Sequence, residues 1–223
     1  MVAVAALGTA GCGRTGPSDL GPPAILARAA DEADKVDTAH FSLEQRNGSL
    51  QLASGVRMAN ADGDVRRPDQ LQMRYTMLLG GGLSAEAHLI AMGDEQFVTN
   101  PFTGQWLASK STHAAPRFLD KERGVSHLLR TLGNAQRLSD ERLDAVPTWH
   151  FVGNLSTSAF ADMMNSQPVT DVVPGEIWVG AEDFLPRQLW LEGPIGVGDS
   201  EATVRILKFS NFNQYVVIEP PPT

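Results

Sequence analysis

The sequence predicts an α+β fold, in which a strongly curved antiparallel sheet of about ten strands carries helices on its concave face. Segments that alternate apolar and polar residues recur along most of the chain and are joined by tight turns, which predicts an antiparallel meander. About ten strands are too many for a flat sheet, so the sheet is expected to curl. A few short segments have helical spacing instead, and they can cover one face of the curled sheet.

The folded region opens with an amphipathic helix. Pro22 and Pro23 suit the first turn of a helix, where the backbone N–H groups have no partner within the helix. Apolar residues follow at helical spacing, with charged residues between them: Ile25, Ala29, Ala33 and Val36. The alternating pattern takes over near Phe41, and Asn47-Gly48 predicts a hairpin turn before the next alternating segment.

The clearest strand is the stretch QLQMRYTML, in which one face is apolar and the other is polar. The apolar face carries Leu71, Met73, Tyr75 and Met77. The same alternation predicts further strands at 85–92, 96–99, 105–108, 148–153, 176–179, 188–192, 202–210 and 214–218. Asp62-Gly63-Asp64, by contrast, has the composition of a turn.

Two short helices interrupt the strands. The first has an apolar stripe before Gly133, a residue that favours helix termination, and the stripe consists of Val125, Leu128, Leu129 and Leu132. The second begins at Ser/Thr capping residues and carries Phe160, Met163 and Met164 on one side. Two interpretations remain open. Either these helices complete a filled core, or they enclose with the sheet a lipid-sized apolar cavity, which adaptable Met and Leu side chains would suit. On the second interpretation, the apolar face of the clearest strand lines the cavity too.

The N-terminal segment has the features of a bacterial lipoprotein signal. Its apolar run is far shorter than the roughly 20 residues of a membrane-spanning helix, and its length suits the central part of a signal peptide. Thr9-Ala10-Gly11 precedes the single cysteine, Cys12, as in a lipobox, where the thiol receives a lipid and the cysteine becomes the new N-terminus. An ordinary apolar N-terminus with an unrelated cysteine is the alternative.

Two departures from the lipobox pattern stand out. Thr9 occupies a position that usually holds an aliphatic residue, and no Lys or Arg precedes the apolar run, which a start codon placed too far downstream would explain. The Gly-, Pro- and Ser-rich stretch after Cys12 is typical of a flexible tether. The predicted organisation is a signal peptide at 1–11, a lipidated cysteine and tether at 12–22, and one folded domain at 23–220.

Composition and motifs exclude several classes of function. A net charge of −8 without a Lys/Arg cluster argues against a nucleic-acid groove. One cysteine cannot form an intrachain disulfide, and no Cys/His pair has zinc spacing, so neither a metal nor a cofactor is predicted. Because nucleophile-elbow, metalloprotease and phosphate-loop motifs are missing, no catalytic residue is predicted, and the protein is not expected to be an enzyme.

The histidines and tryptophans receive structural interpretations. His40, His88 and His150 fall in predicted strands, where solvent-facing or hydrogen-bonded core positions explain them more simply than catalysis. The four tryptophans are Trp106, Trp149, Trp178 and Trp190. Tryptophans in alternating strands usually belong to the core, although exposed ones could stack on sugars.

The order of these segments is similar to the LppX and LprG type of mycobacterial and related lipoproteins. The resemblance runs from about Pro22 to Pro220, and its most specific parts are Pro68-Asp69 before a strand and the pattern Trp178-Val179 followed by Leu185-Pro186. It implies an unclosed half-barrel with helices on the concave side, an apolar cavity for acylated lipids or glycolipids, and lipidation of Cys12.

These observations lead to one hypothesis and one alternative. The hypothesis is a monomeric lipoprotein, anchored at the outer face of the bacterial cytoplasmic membrane, that carries an acylated lipid or glycolipid across the cell envelope. The alternative is a non-catalytic envelope module with a filled core, which binds a protein or a polysaccharide on its outer face. Cavity volume distinguishes the two, since a structural module would be packed to the usual density.

Overall fold

The structure, a computed structural model, describes residues 20–51, 57–110 and 116–222. The predicted signal peptide and Cys12 lie outside the described residues. Within the described part there are three α-helices and thirteen strands, with a short 3-10 turn at Gly80–Gly82. The helices are α1 (Pro22–Ala33), α2 (Val125–Thr131) and α3 (Thr157–Met164). The strands are β1 (Thr38–Arg46), β2 (Leu50–Gln51), β3 (Arg57–Arg66), β4 (Gln70–Leu78), β5 (Ser84–Met92), β6 (Glu95–Thr99), β7 (Trp106–Lys110), β8 (Gly133–Arg137), β9 (Glu141–Leu143), β10 (Val146–Ser156), β11 (Val172–Gly180), β12 (Pro186–Glu192) and β13 (Val204–Ser210).

All strands belong to one antiparallel sheet that does not close. Their order is β7-β6-β5-β4-β3-β1-β13-β12-β11-β10-β8, while β2 pairs with β3 and β9 pairs with β10. The first and last strands of this order, β7 and β8, do not pair with each other. The predicted fold class, a strongly curved open sheet with helices on its concave face, is therefore confirmed.

The helices and the inner face of the sheet share one core. Alternate residues of the strands point to the helices, and on β1 and β13 these include Phe41, Leu43, Leu207 and Phe209. Helix α1 contributes Ile25, Ala29 and Ala33, as its spacing predicts. The N-terminal and C-terminal parts of the chain meet in the middle of the sheet, because β1 pairs with β13 from His40–Ser210 to Arg46–Val204.

Three local predictions were wrong. Asp62-Gly63-Asp64 lies inside β3 rather than in a turn, because Gly63 permits a close approach of β4: a Cβ at Gly63 would lie 2.1 Å from the carbonyl oxygen of Gln72. Asn47 adopts a positive φ and the chain bends there, but β2 pairs with β3 instead of forming a hairpin with β1. Residues 214–218 form an extended tail and not a strand.

The remaining strand predictions agree with the structure, but the sheet has more strands than expected. The thirteen observed strands exceed the predicted ten because β3, β8 and β9 carry no clear apolar alternation. None of the helices in the described residues combines the length and the apolar composition needed to cross a membrane.

Candidate functional site

The residues proposed for a ligand cavity come together in the interior between the helices and the sheet. Ten of the eleven are at most 8% exposed and belong to a single core cluster: Leu71, Met73, Tyr75, Val125, Leu128, Leu129, Leu132, Phe160, Met163 and Met164. Met77 is partly buried and packs against that cluster. Burial raises the pKa of the Tyr75 hydroxyl, which agrees with an apolar surrounding.

Helix α2 is placed by the turn that precedes it. This turn requires glycine at position 124, because a Cβ atom there would lie only 2.4 Å from the carbonyl oxygens of both Phe118 and Asp120. The turn also buries Phe118, whose ring lies 4.4 Å from that of Phe41 and 5.8 Å from that of Phe209. Sequence reasoning missed Phe118, although the apolar pair Phe118-Leu119 directly before a helix signal could have indicated it.

Helix α3 is held at both ends by its own neighbours. The Ser156 hydroxyl accepts a hydrogen bond from the backbone N–H of Ala159, and Thr157 is fully buried and donates to the carbonyl of Thr170. The helix ends at Asn165, which adopts the left-handed conformation at a φ of 50°. This arrangement directs Met163 and Met164 into the core, where both are fully buried.

A pocket opens beside the C-terminal end of α3. Its volume is about 160 Å³, and it is lined by Leu50, Gln51, Asn165, Ser166, Gln167, Gly196 and Val197. We call it the α3 pocket. Leu50 belongs to the core cluster, so the pocket reaches the apolar interior. Val197, which lines the pocket, is 65% exposed. Val169 is 49% exposed, and its backbone N–H donates to the carbonyl of Ile195 in the neighbouring loop.

A buried ion pair holds the two sides of the α3 pocket in place. Arg205 and Asp199 are completely buried, and Arg205 Nη2 lies 2.6 Å from Asp199 Oδ2. Arg205 also donates to the carbonyl of Ser49, next to Leu50, while Asp199 accepts from the backbone N–H groups of Ile195 and Gly196. Both walls of the pocket are thus fixed by one pair of charges. Sequence reasoning did not single out either residue.

The outer face of the sheet carries a second, polar groove. It measures about 270 Å³ and is lined by His40, Asp62, Gly63, Asp64, Gln72, Met73, Arg74, His88, Leu89, Ile90 and Trp106. His40 Nδ1 lies 2.9 Å from Asp64 Oδ1, and Arg74 lies within 3.8 Å of Asp62. Trp106 is half-buried at one end, where its ring centre is 6.4 Å from that of His88.

His150 lies on the same face, in a buried network. Its two ring nitrogens lie 2.8 Å from Glu141 Oε1 and 2.6 Å from Glu176 Oε2, and its ring stacks on Trp178 at 4.1 Å. The hydrogen bonds from Trp178 and His150 lower the pKa of Glu141. The predicted positions of the strand histidines agree with the structure, since His150 is buried and hydrogen-bonded and His40 and His88 are partly exposed.

The arrangement of possible ligands in the described residues does not form a metal centre. No group of three or more His, Cys, Asp and Glu side chains in the described residues is arranged to hold a metal ion. Trp149 and Trp178 are buried, as expected of tryptophans in alternating strands, whereas Trp106 and Trp190 are partly exposed.

The fold and its interior define a class of protein: an open antiparallel half-barrel whose helices cover a methionine- and leucine-rich apolar interior. The chain belongs to the LppX_LprAFG lipoprotein family, whose model matches residues 21–217. The resemblance found in the sequence is therefore confirmed.

Three known proteins show the extent of the likeness. The lipoarabinomannan carrier protein LprG of Mycobacteroides abscessus is 23% identical over 185 residues, which cover 80% of this chain and 78% of that protein. The crystal structure of LprF from Mycobacterium bovis has a TM-score of 0.72 at 13% identity, covering 91% of this chain and 97% of that one. LppX of Mycobacterium tuberculosis has a TM-score of 0.59 at 18% identity, covering 88% and 99%.

Proposed function

We propose that the protein is a non-enzymatic carrier that shields the acyl chains of a lipid or glycolipid inside the half-barrel. The observation that carries the proposal is the α3 pocket, because it opens beside the C-terminal end of α3 and is lined by Leu50, a member of the apolar core cluster. The name of the LprG relative, a lipoarabinomannan carrier, supports a lipid with a sugar headgroup. The likeness to LprF and LppX supports the half-barrel fold.

Acyl chains would enter the half-barrel by displacing helix α3. The α3 pocket of about 160 Å³ is about as large as a cavity that holds benzene, so a long acyl chain needs more room. Phe160, Met163 and Met164 would move away from the sheet and pack against the chain, which unbranched Met side chains do readily. Each Å² of apolar lipid surface removed from water would contribute about 25 cal/mol to the affinity.

The remaining parts of the chain fit this role. Residues 1–11 would direct export and residues 12–22 would provide the lipidated Cys12 and a tether, leaving residues 23–220 as a monomeric carrier domain. The anchor would hold the domain at the outer face of the cytoplasmic membrane, since each buried acyl CH₂ adds about 0.8 kcal/mol of membrane affinity.

Lipid analysis tests the carrier function directly. The full chain with Cys12→Ala, which removes the acylated thiol, would be produced in a mycobacterial host, purified without detergent and extracted for mass spectrometry. We expect one class of acylated lipid in a near one-to-one ratio. A lipid-free protein that also fails to take up a fluorescent acyl probe would contradict the proposal.

Two exposed valines provide a matched pair of variants. Val197→Arg places a charge on the rim of the α3 pocket and should slow uptake of the acyl probe, because the chain would pass a solvated guanidinium. Val217→Arg is the control, since Val217 is also exposed but lies in the tail near Thr38, at the opposite end of β1. Equal uptake rates of the two variants would exclude the α3 pocket as the entrance.

A second candidate function is supported by the polar groove on the outer face. Trp106 offers a partly exposed aromatic ring beside carboxylates and imidazoles, an arrangement that suits sugar binding by a non-catalytic envelope module. Titration with soluble oligosaccharides tests it: binding that is lost in Trp106→Ala but kept in Trp190→Ala, without uptake of acyl probes, would favour this function over the carrier.

A further inference from the structure

Four connecting segments at one end of the half-barrel contain no charged residue. The strand register brings them together, because the end of β12 pairs with the start of β13, and the end of β1 lies beside the start of β3, which pairs with the end of β4. We call this the uncharged end. Its four segments are 79–83 between β4 and β5, 100–105 between β6 and β7, 165–170 between α3 and β11, and 193–198 after β12.

The opposite end, which we call the charged end, differs in composition. Each of its connections contains at least one Asp, Glu, Lys or Arg, and these connections are 34–37, 67–69, 93–94, 144–145 and 181–185. Charged residues make up 20% of the chain, so four segments of five or six residues would ordinarily hold several of them. The lack of charge is therefore a property of one end and not of the whole molecule.

The uncharged end exposes apolar side chains instead. Phe102 is 79% exposed at the tip of its turn. A Cβ atom at Gly82, Gly104 or Gly198 would meet no other atom within 4 Å, so these turns project beyond the body of the protein. Five large apolar side chains at this end are exposed: Leu83, Phe102, Val169, Val172 and Val197.

The projecting segments are fixed by hydrogen bonds. Asn100 Oδ1 accepts from the backbone N–H of Phe102 at 2.9 Å and from that of Thr103 at 3.2 Å. The backbone N–H of Val169 donates to the carbonyl of Ile195 at 2.8 Å, which joins two of the uncharged segments. Because the turns are already ordered, a partner that binds them does not have to offset the entropy of ordering them.

A lipid bilayer fits this surface better than a folded protein does. Exposed apolar side chains that gather on one surface mark an interaction site. A protein interface needs a closely packed patch of about 800 Å² on each partner, whereas these side chains project from separate turns. A fluid bilayer accepts separate apolar tips, and it excludes charged groups, which the uncharged segments lack.

We propose that the uncharged end docks on the surface of a lipid bilayer and inserts Leu83, Phe102 and Val197 among the lipids. This contact is separate from the proposed anchor at Cys12 and does not require a lipid in the interior, so it goes beyond the carrier function. The α3 pocket lies at the same end, because Asn165 and Val197 line it. Docking would turn the pocket toward the bilayer.

Fluorescent labels at single positions test the docking. Cys12 is the single cysteine of the chain, so the full chain with Cys12→Ala can receive one new cysteine at a time, labelled with an environment-sensitive dye. The labelled variants are Leu83→Cys, Phe102→Cys and Val197→Cys. With phosphatidylcholine vesicles, we expect a blue shift of the dye at each position, and quenching by lipids that carry a quencher on their acyl chains.

Tyr215→Cys is the matched control. Tyr215 is 91% exposed, but it lies in the tail beside Thr38, at the charged end, and its label should stay in water. Because all four labelled side chains are exposed, their replacement leaves the core intact. Exchanging part of the phosphatidylcholine for an anionic lipid should not strengthen docking, since the chain has a net charge of −8.

A charged residue at position 102 tests the role of the apolar tip. With the label at position 197, Phe102→Asp should need about tenfold more lipid to reach half of the blue shift, because an apolar ring is lost and a charge must approach the bilayer. Tyr215→Asp makes the same change at the charged end and should need an unchanged amount of lipid. Residues 1–11 are present in both variants, so any contact that they make with the vesicles is common to both.

Three results would overturn the inference. If the label at position 215 shifts as much as that at position 102, the bilayer contact has no preferred end. If the protein binds vesicles while the labels at the uncharged end stay in water, the N-terminal segment alone makes the contact. If the labels respond only to vesicles that contain membrane proteins, the surface binds a protein. None of these results affects the carrier function, because uptake of the acyl probe is measured without a bilayer.

Discussion

At the scale of single residues, the buried Arg205–Asp199 ion pair affects both the core and the α3 pocket. A buried ion pair contributes little net stability, because the loss of hydration offsets the attraction between the charges. Removing one member, however, leaves the other charge unpaired in the interior. The pair also holds the backbone on both sides of the α3 pocket, so that its loss would affect the site as well as the core.

We therefore expect Arg205→Met to lower the free energy of unfolding by about 3–5 kcal/mol. Adding Asp199→Asn should restore part of this loss, because the carboxylate that was left unpaired becomes neutral. Guanidinium denaturation of the two single variants and the double variant gives the coupling energy. Arg46→Met is the control, because its pair with Glu44 is exposed to solvent and should contribute little to stability. Similar losses in Arg205→Met and Arg46→Met would contradict the structural role.

The sequence predicts the apolar part of the site but not its polar part. Burial of Leu128 or Met163 follows from helical spacing, which decides the face of a helix that meets the core. The role of Arg205 depends on its contacts with Asp199 and with the carbonyl of Ser49, which folding brings together from distant parts of the chain. No local pattern in the sequence contains that information.

At the scale of elements, helix α1 is tied to helix α2 by Arg130. Its Nη2 lies 2.7 Å from Asp34 Oδ2 and 3.0 Å from Asp31 Oδ1. Burial alone would raise the pKa of Asp34, but the hydrogen bonds from Arg130 and Ser126, together with the charges of Arg130 and Arg67, outweigh it and hold that pKa below its usual value. This contact ties α2 to α1, so the proposed mechanism assigns the movement to α3.

The lowered pKa of Asp34 sets the direction of the pH dependence. Ionised Asp34 contributes stability above the pKa of the unfolded chain, about 3.9, and this contribution disappears as the pH falls through the lower folded-state pKa. Asp34→Asn should thus lower the free energy of unfolding at pH 7 by at most about 1 kcal/mol, and the difference from the wild type should disappear as the pH falls through the lowered folded-state pKa of Asp34. Urea denaturation across this range measures the difference. Asp37→Asn, on an exposed side chain, is the control, and a constant difference between Asp34→Asn and wild type would contradict the role of the carboxylate.

Strands with a strong apolar and polar alternation can be predicted from the sequence. Strands that form because a neighbouring strand pairs with them cannot. Strand β3 places Ala61, Gly63 and Val65 inward, and these small side chains give little apolar signal while allowing close contact with β4. Residues 214–218 alternate and begin beside Thr38 of β1, but they cannot pair with β1 because that strand already pairs with β3 and β13. In both places the pairing of distant segments overrides the local pattern.

At the scale of the whole molecule, the pairing of β1 with β13 makes the fold dependent on both ends of the domain. Strand β13 is hydrogen-bonded on both sides, to β1 and β12, and it contributes Leu207 and Phe209 to the single core cluster. The tail beyond residue 218, by contrast, is largely exposed. A domain that contains its core in one cluster should unfold in one cooperative transition.

This arrangement predicts opposite results for two truncations. A chain that ends at residue 203 lacks β13, so that β1 and β12 lose their shared partner and buried apolar side chains of both helices and sheet face water. It should show no cooperative unfolding transition by far-ultraviolet circular dichroism. A chain that ends at residue 218 keeps β13 and the buried Ile218, and it should unfold in one transition close to that of the full chain. If the shorter chain still unfolded cooperatively, the half-barrel would consist of two units that fold separately, and the single carrier domain proposed for residues 23–220 would have to be divided between them.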